Sequence, residues 1–311
     1  CIPFLLPSGH PRSLGMYPLI NMWEENNWKQ FDIILFFGFN EYMQDIIKWL
    51  YPINPHIVVA PILDPNYSLI ALKCCSRWGC NKLRLNNSYH ALRSCKEKVK
   101  LFLVRSRYEK LYLSQGFGIS ASKCRIIPLS YNVNPESFGN EREPFCLHIS
   151  LLCDARKNVK RLIDASVKYN FKLVLGGILR NEQEKKLLDS WIRDKPNVTY
   201  MGYISYDTML DLYKRAKVFA LPSIYEGVGI VALDAAVMGC DIVITRLGGP
   251  KEYYNNMAVE VDPYSIDEIG LAVSQLMQGQ TFQPDLRKYI LENYSLKNIS
   301  EQLEMAFSIV L

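Results

Sequence analysis

The sequence predicts an α/β protein of two parallel-sheet domains, and three observations carry that reading. The chain has 311 residues, enough at ~150 residues per domain for two domains, each with a core of its own. Hydrophobic residues make up 49% and charged residues 22%, which excludes a disordered, collagen-like or coiled-coil chain. Short apolar, β-rich runs alternate with amphipathic stretches from end to end, the pattern of parallel sheets covered on both faces.

In the first half, strands are predicted at 1–6, 32–37, 56–61, 101–104 and 125–128. Tyr108, Leu111 and Tyr112 fall at helical spacing and place a helix over 107–115. In the second half, strands at 145–152, 172–175, 198–201, 218–221, 241–245 and 258–261 alternate with helices at 160–169, 182–193, 206–215, 229–238 and 265–277. The polar stretch 132–144, with two Pro and one Gly, reads as the linker. The domains are therefore expected at 1–140 and 141–311, with the last helix packing back on the first. Two such doubly wound domains bind ligands in loops at the C-terminal ends of their strands.

The longest apolar runs, 31–39 and 57–63, are far short of the ~20 residues of a spanning helix. Residues 1–6 have no basic start and no cleavage site, so no secretory leader is read there; the opening Cys1 suggests a missing upstream piece. The expected location is cytoplasmic. Nine cysteines, an odd and scattered number, argue against a disulfide framework. Cys74, Cys75, Cys80 and Cys95 cluster in sequence but lack the second C-x-x-C of a zinc site, so thiols and no metal are expected.

The net charge of +5 is unevenly divided. Up to residue 142 there are 17 Lys and Arg against 10 Asp and Glu; beyond it there are 19 against 21. Residues 73–110 hold eleven basic side chains and two acids, Glu97 and Glu109. No nucleic-acid reading motif accompanies them, so no nucleic-acid partner is expected. A solvated basic face is the plain interpretation. Peripheral contact with an anionic membrane, at its cytoplasmic face, is the functional one.

The most informative segment runs from Leu221 to Thr245. A buried strand leads into Pro222-Ser223-Ile224-Tyr225-Glu226-Gly227-Val228-Gly229, and a helix follows. Two glycines there let backbone N–H groups approach a ligand, and the free donors at Ile230 and Val231 suit a diphosphate. Glu226 sits before the helix, and Asp234, eight residues on, lies about two turns away.

This pattern resembles the C-terminal domain of GT-B glycosyltransferases of family 4, whose signature is P-S-x-x-E-G-x-G-x-x-x-x-E-A. The flanks match as well: Met238-Gly239, then Gly248-Gly249-Pro250-Lys251-Glu252, then Val261-Asp262-Pro263. Upstream, Lys157-Asn158 resembles the family's phosphate-binding Lys, and Leu175-Gly176-Gly177 and Asn197 to Ile204 fit in order and spacing. The likeness extends from Phe145 to about Leu276. In the first half only Val104 to Lys110, Gly116-Phe117-Gly118 and Ile126-Ile127-Pro128 match, and the N-terminal domain is shorter than is usual.

The resemblance implies a retaining transfer of sugar from a UDP- or GDP-sugar to a saccharide or lipid-linked hydroxyl, in polysaccharide or glycolipid synthesis. Glu226 would bind donor-sugar hydroxyls, and N–H groups around Gly227, Gly229, Ile230 and Val231 would hold sugar and phosphates. Asp234 would accept from the ribose, the Tyr203–Ile204 backbone would frame the base, and Gly177 is a further donor-binding candidate. Lys157, with Arg156 beside it, would stabilise charge on the leaving diphosphate without a metal or other cofactor. The loop at 7–15 resembles the family's flexible glycine-containing loop, which makes His10 and Arg12 candidates. Asp64, after an N-terminal strand, is the polar candidate where the family often has a His. His56, His90 and His148 read as structural.

The sequence departs from the family pattern at three places. Asp234 replaces a Glu, Leu151 stands where an Arg usually precedes the phosphate Lys, and the N-terminal His is absent. These departures keep two alternatives open: a sugar-nucleotide-binding pseudoenzyme or partner subunit, and a nucleotide-sugar epimerase of the same architecture.

Overall fold

The computed structural model describes residues 2–7, 27–64, 68–78, 87–135 and 142–311. The chain divides into two compact units, Cys1–Pro128 together with Lys297–Leu311, and Leu129–Leu296.

In the first unit, β1 (Ile2–Pro7), β2 (Phe31–Phe37), β3 (Ile57–Ala60), β4 (Leu101–Val104) and β5 (Cys124–Ile126) form one sheet in that order. Each lies within two residues of its predicted place. The pairing of β1 differs from expectation: it runs antiparallel to β2, with Ile2 opposite Phe37 and Pro7 opposite Phe31. Pro3 and Pro7 cannot donate to a ladder on both sides, so this strand suits a sheet edge, where an antiparallel neighbour is common. The other neighbours are parallel.

Strict alternation along the strands buries both faces. Ile34, Phe36, Val59, Phe102 and Val104 pack against side chains of α1 (Met43–Leu50), α2 (Leu69–Arg77), α3 (Ser88–Cys95) and α4 (Arg107–Phe117). Ile33, Leu35, Val58, Leu101 and Leu103 face the other way, onto Ala306, Phe307 and Val310 at the C-terminal end of the chain.

The second unit is a six-stranded parallel sheet. Its strands are β6 (Glu143–Leu151), β7 (Lys172–Ile178), β8 (Val198–Tyr200), β9 (Ala216–Leu221), β10 (Asp241–Thr245) and β11 (Val259–Val261). In space the order is β11-β10-β9-β6-β7-β8, so the chain winds outward from β6, returns beside it at β9, and winds outward the other way. The crossover point lies between β6 and β9.

The connecting helices are α5 (Val159–Lys168), α6 (Glu182–Ile192), α7 (Tyr206–Arg215), α8 (Ile230–Val237) and α9 (Ile266–Met277). Asn181, Ser205 and Ser265 cap α6, α7 and α9 by accepting N–H bonds from the third residue onward. Leu162, Ile163, Ile269 and Val273 pack with Cys146, Leu173, Val218 and Val243 of the sheet. The run Ala232 to Val237 of α8 is buried throughout, as expected of a helix apolar on every side. Then follow α10 (Asp285–Asn293) and α11 (Leu296–Ser308), the helix that supplies Ala306 and Phe307 to the first unit.

The division falls at Pro128 rather than at 140, for a physical reason. The Leu129 amide donates to Tyr253 Oη at 3.2 Å, the Asn132 amide to Asp234 Oδ1 at 2.6 Å, and Arg287 donates to the Pro135 carbonyl at 2.6 Å. Residues 129–135 are thus tied into the second unit. His148 is buried as expected: its ring nitrogens lie 2.7 Å from the Ala220 carbonyl and 2.7 Å from Ser150 Oγ, joining β6 to β9. Among the described residues every cysteine is a free thiol, and no helix is long and apolar enough to cross a membrane.

Candidate active site

The carboxyl ends of β6 and β9 flank the crossover point, where doubly wound sheets bind their ligands. After β6 the chain makes a tight turn, Ala155–Lys157, begun by Asp154, whose side chain accepts the Arg156 amide at 2.9 Å. Asn158 then adopts a left-handed conformation, φ 59°, and opens α5. Its buried amide donates to Pro222 O at 2.9 Å and to Pro263 O at 2.6 Å. The Ile224 amide donates to Arg156 O at 2.7 Å. These bonds fasten the turn after β6 to the loop after β9.

That fastening sets Lys157 against Glu226. The Lys157 ammonium donates to Glu226 Oε2, and Ser223 Oγ lies 3.4 Å from the same oxygen. The two charged side chains retain 17% and 13% of their exposure, so the pair is half-sheltered yet reachable from solvent. A carboxylate and an ammonium so placed can be exchanged for a ligand's hydroxyls and its anionic oxygens.

Gly229 supplies the second element. It is left-handed, φ 74°, and a Cβ there would lie 2.8 Å from Leu221 Cδ2 and 3.5 Å from Glu226 Cγ. It offers no capping side chain, so the first-turn N–H groups of α8, at Ile230 and Val231, are left for a partner outside the helix. Gly248, φ 83°, comes so near that a Cβ would stand 2.7 Å from Glu226 O. Gly227 lies in the same loop, and Glu226 is framed on three sides.

The remaining predicted residues divide. Arg156 grips Asp154 with Nε at 3.1 Å from both oxygens and Nη2 at 2.8 Å, and its guanidinium lies over the Tyr225 ring. That hydrogen bonding holds the Asp154 carboxyl below its usual range. Gly177 donates to Gly202 O at 3.0 Å, joining the end of β7 to the loop carrying exposed Tyr203 and half-buried Ile204. Asp234 is 4% exposed, and burial pushes its pKa up to about 6, opposed by bonds from the Asn132 and Val133 amides. Its carboxylate is therefore already engaged with the backbone of the same unit.

Asp64 belongs to the first unit. It lies 2.6 Å from Arg105 Nη2, and Arg105 is also bound to buried Glu109, with Nε 3.0 Å from Oε2. Glu109 in turn accepts the amides of Leu63 at 2.5 Å and Arg105 at 2.7 Å. Sequence reasoning singled out Asp64 but missed the Arg105–Glu109 pair that holds its loop. His10 and Arg12 lie outside the described residues. Among the described residues no three His, Cys, Asp or Glu side chains gather as metal ligands.

Comparison with known proteins bears on this site. Residues 132–294 match the family model of glycosyl transferases group 1. An uncharacterized glycosyltransferase of Methanocaldococcus jannaschii is 30% identical over 168 residues, which are 50% of this chain and 43% of that protein. The O-antigen chain mannosyltransferase B of Escherichia coli is 26% identical over 152 residues, 45% of this chain and 38% of the relative. The matched region thus spans less than half the length of either relative. The solved sucrose-phosphate synthase of Thermosynechococcus elongatus has the same fold, with a TM-score of 0.65 at 19% identity, covering 84% of this chain and 69% of the other. The family match takes in more than half of the sequence, including the Lys157 turn, the Glu226 loop and α8, and the chain belongs to the glycosyl transferases group 1 family.

Proposed function

We propose that the chain is a retaining glycosyltransferase that moves a hexose from a UDP- or GDP-sugar to a hydroxyl of a saccharide or lipid-linked acceptor. The observation that carries this reading is the Lys157–Glu226 pair at the carboxyl ends of β6 and β9, beside the uncapped start of α8. On donor binding, Lys157 and the first-turn amides of α8 take the diphosphate, and Glu226 takes sugar hydroxyls. The bond from the anomeric carbon to the diphosphate oxygen breaks with its electron pair going to that oxygen. The acceptor oxygen attacks on the departing face, and its proton passes to the leaving phosphate. An ammonium and a helix start stabilise the developing charge, so the proposed reaction uses no metal. The mannosyltransferase among the relatives supports a role in polysaccharide or glycolipid synthesis. Work on such acceptors suits the cytoplasm and the cytoplasmic face of a membrane.

Release of nucleoside diphosphate from UDP- and GDP-sugars, with and without acceptor, tests the reading. Acceptor-dependent release is expected, with an unchanged anomeric configuration in the product NMR spectrum. Glu226→Gln and Lys157→Met are each expected to lower turnover about 100-fold or more. Wild-type turnover in Glu226→Gln, or an inverted product, would refute it. Arg156 favours a second reading, a sugar-nucleotide-binding partner without transfer, because Asp154 neutralises the charge beside Lys157 and Leu151 supplies none. Tight donor binding with no release would support that alternative, and sugar interconversion without release would indicate an epimerase.

A further inference from the structure

Nine of the eleven basic residues of 73–110 lie among the described residues. Four of them brace the first unit. Arg93 and Lys96 donate to the carbonyls of Phe117 and Gly118 at the end of α4, Lys110 donates to Cys124 O, and Arg105 is engaged by Asp64 and Glu109. Lys100 is exposed without such a bond, and so are Lys73 and Arg77: among the described residues their side chains have no ion pair and no hydrogen bond. Lys73 and Arg77 lie one turn apart on α2, on the face shared by Ile70 and Cys74. The opposite face is sealed, with Leu72 in the core and Ser76 Oγ donating to Gly116 O at 2.9 Å.

Two large apolar side chains of the same segment are exposed as well. Ile70 is 77% exposed and Trp78, which ends the helix, is 84% exposed. Trp78 is fixed at its backbone: its amide donates to Cys74 O at 3.1 Å and its carbonyl accepts Asn87 Nδ2 at 2.9 Å. No acidic residue occurs in α2. Polyanions such as RNA would use the two cations but leave Ile70 without a partner. A bilayer surface takes both, since Trp and aliphatic groups settle at the headgroup boundary while Lys and Arg reach acidic headgroups.

We propose that this face of α2 docks the chain on an anionic lipid bilayer, with Ile70 and Trp78 entering the interface and Lys73 and Arg77 contacting acidic headgroups. The inference rests on the reading of a membrane-linked acceptor and gives that membrane contact a place. Flotation of the full chain with vesicles tests it, using equal parts of phosphatidylcholine and phosphatidylglycerol, or phosphatidylcholine alone. Binding at low salt to the anionic vesicles only is expected. The Lys73→Glu/Arg77→Glu double variant is expected to partition at least about 30-fold less, and Ile70→Ser/Trp78→Ser to lose binding with an unchanged melting temperature. Brominated lipid should quench tryptophan emission in the wild type and much less in Trp78→Phe, which still floats.

A wild type that does not float, equal binding to neutral vesicles, or undiminished flotation of the charge-reversed variant would overturn the proposal. So would salt-sensitive binding to single-stranded RNA in place of vesicles. Thermal shift with nucleotide sugars, run on the same proteins, separates the two claims. Donor stabilisation is expected to be equal in all of them; a wild type that floats but shows no donor response would sink the transfer reading and leave the docking face standing.

Discussion

Asp234 and His148 are two buried titratable groups of the second unit whose environments act in opposite directions. Burial pushes the Asp234 carboxyl up to about 6, above its unfolded value of 3.8, although the Asn132 and Val133 amides favour its charged form. Stability linked to its proton is therefore full below 3.8 and lost as pH rises through 6. Burial pulls His148 down to about 4 from 6.5, so its contribution is full above 6.5 and lost as pH falls through 4. Asp234→Asn removes the first effect and retains an acceptor for the Asn132 amide. In urea melts, wild-type stability relative to the variant is expected to drop by on the order of 2–3 kcal/mol between pH 4 and 6, then level off. A difference that does not change across that range would show the carboxyl is not titrating there. The sequence announced Asp234 by its spacing from Glu226, but its partner amides lie a hundred positions earlier, and only the fold brings them to it. Glu226 was legible for the opposite reason: its glycines and the following helix start are local.

At the scale of elements, Asn158 couples the turn that presents Lys157 to the loop that presents Glu226. Its side-chain amide reaches Pro222 and Pro263, and Arg161 Nη1 donates to its Oδ1 at 2.8 Å. Asn158→Ala strands both prolyl carbonyls and places a Cβ-bearing, non-Asn residue at φ 59°. The expected cost is about 2–3 kcal/mol, a fall of roughly 5–10 °C in the melting temperature of this unit, with weaker donor binding in the same sample. A melting temperature within about 1 °C of wild type would show that water replaces the amide at little cost. The strands and helices of this unit could be read directly, because apolar runs bounded by turn residues leave a local record. Which carbonyls an asparagine will bind leaves none. The direction of β1 was hidden for a similar reason: pairing direction depends on a neighbour, not on the strand's own sequence.

For the whole chain, the first unit is built from two separate stretches. Removing residues 297–311 uncovers Ile33, Leu35, Val58, Leu101 and Leu103 along one face of the first sheet. The truncated chain is expected to show fast amide exchange and early proteolysis in β2 to β4, with the second unit still protected. Equal protection of both units would mean that α11 contributes little. Nothing in the last helix's own residues names the sheet it covers, so its return to the first domain was no more than an expectation until the fold placed it.

That discontinuity has a consequence for biosynthesis. During translation the strands around Ile33 and Leu103 leave the ribosome long before Phe307 is made. The second unit can reach its final form meanwhile, while one side of the earlier sheet waits bare. Until residues 297–311 emerge, the first sheet carries bare apolar surface of the kind that promotes aggregation.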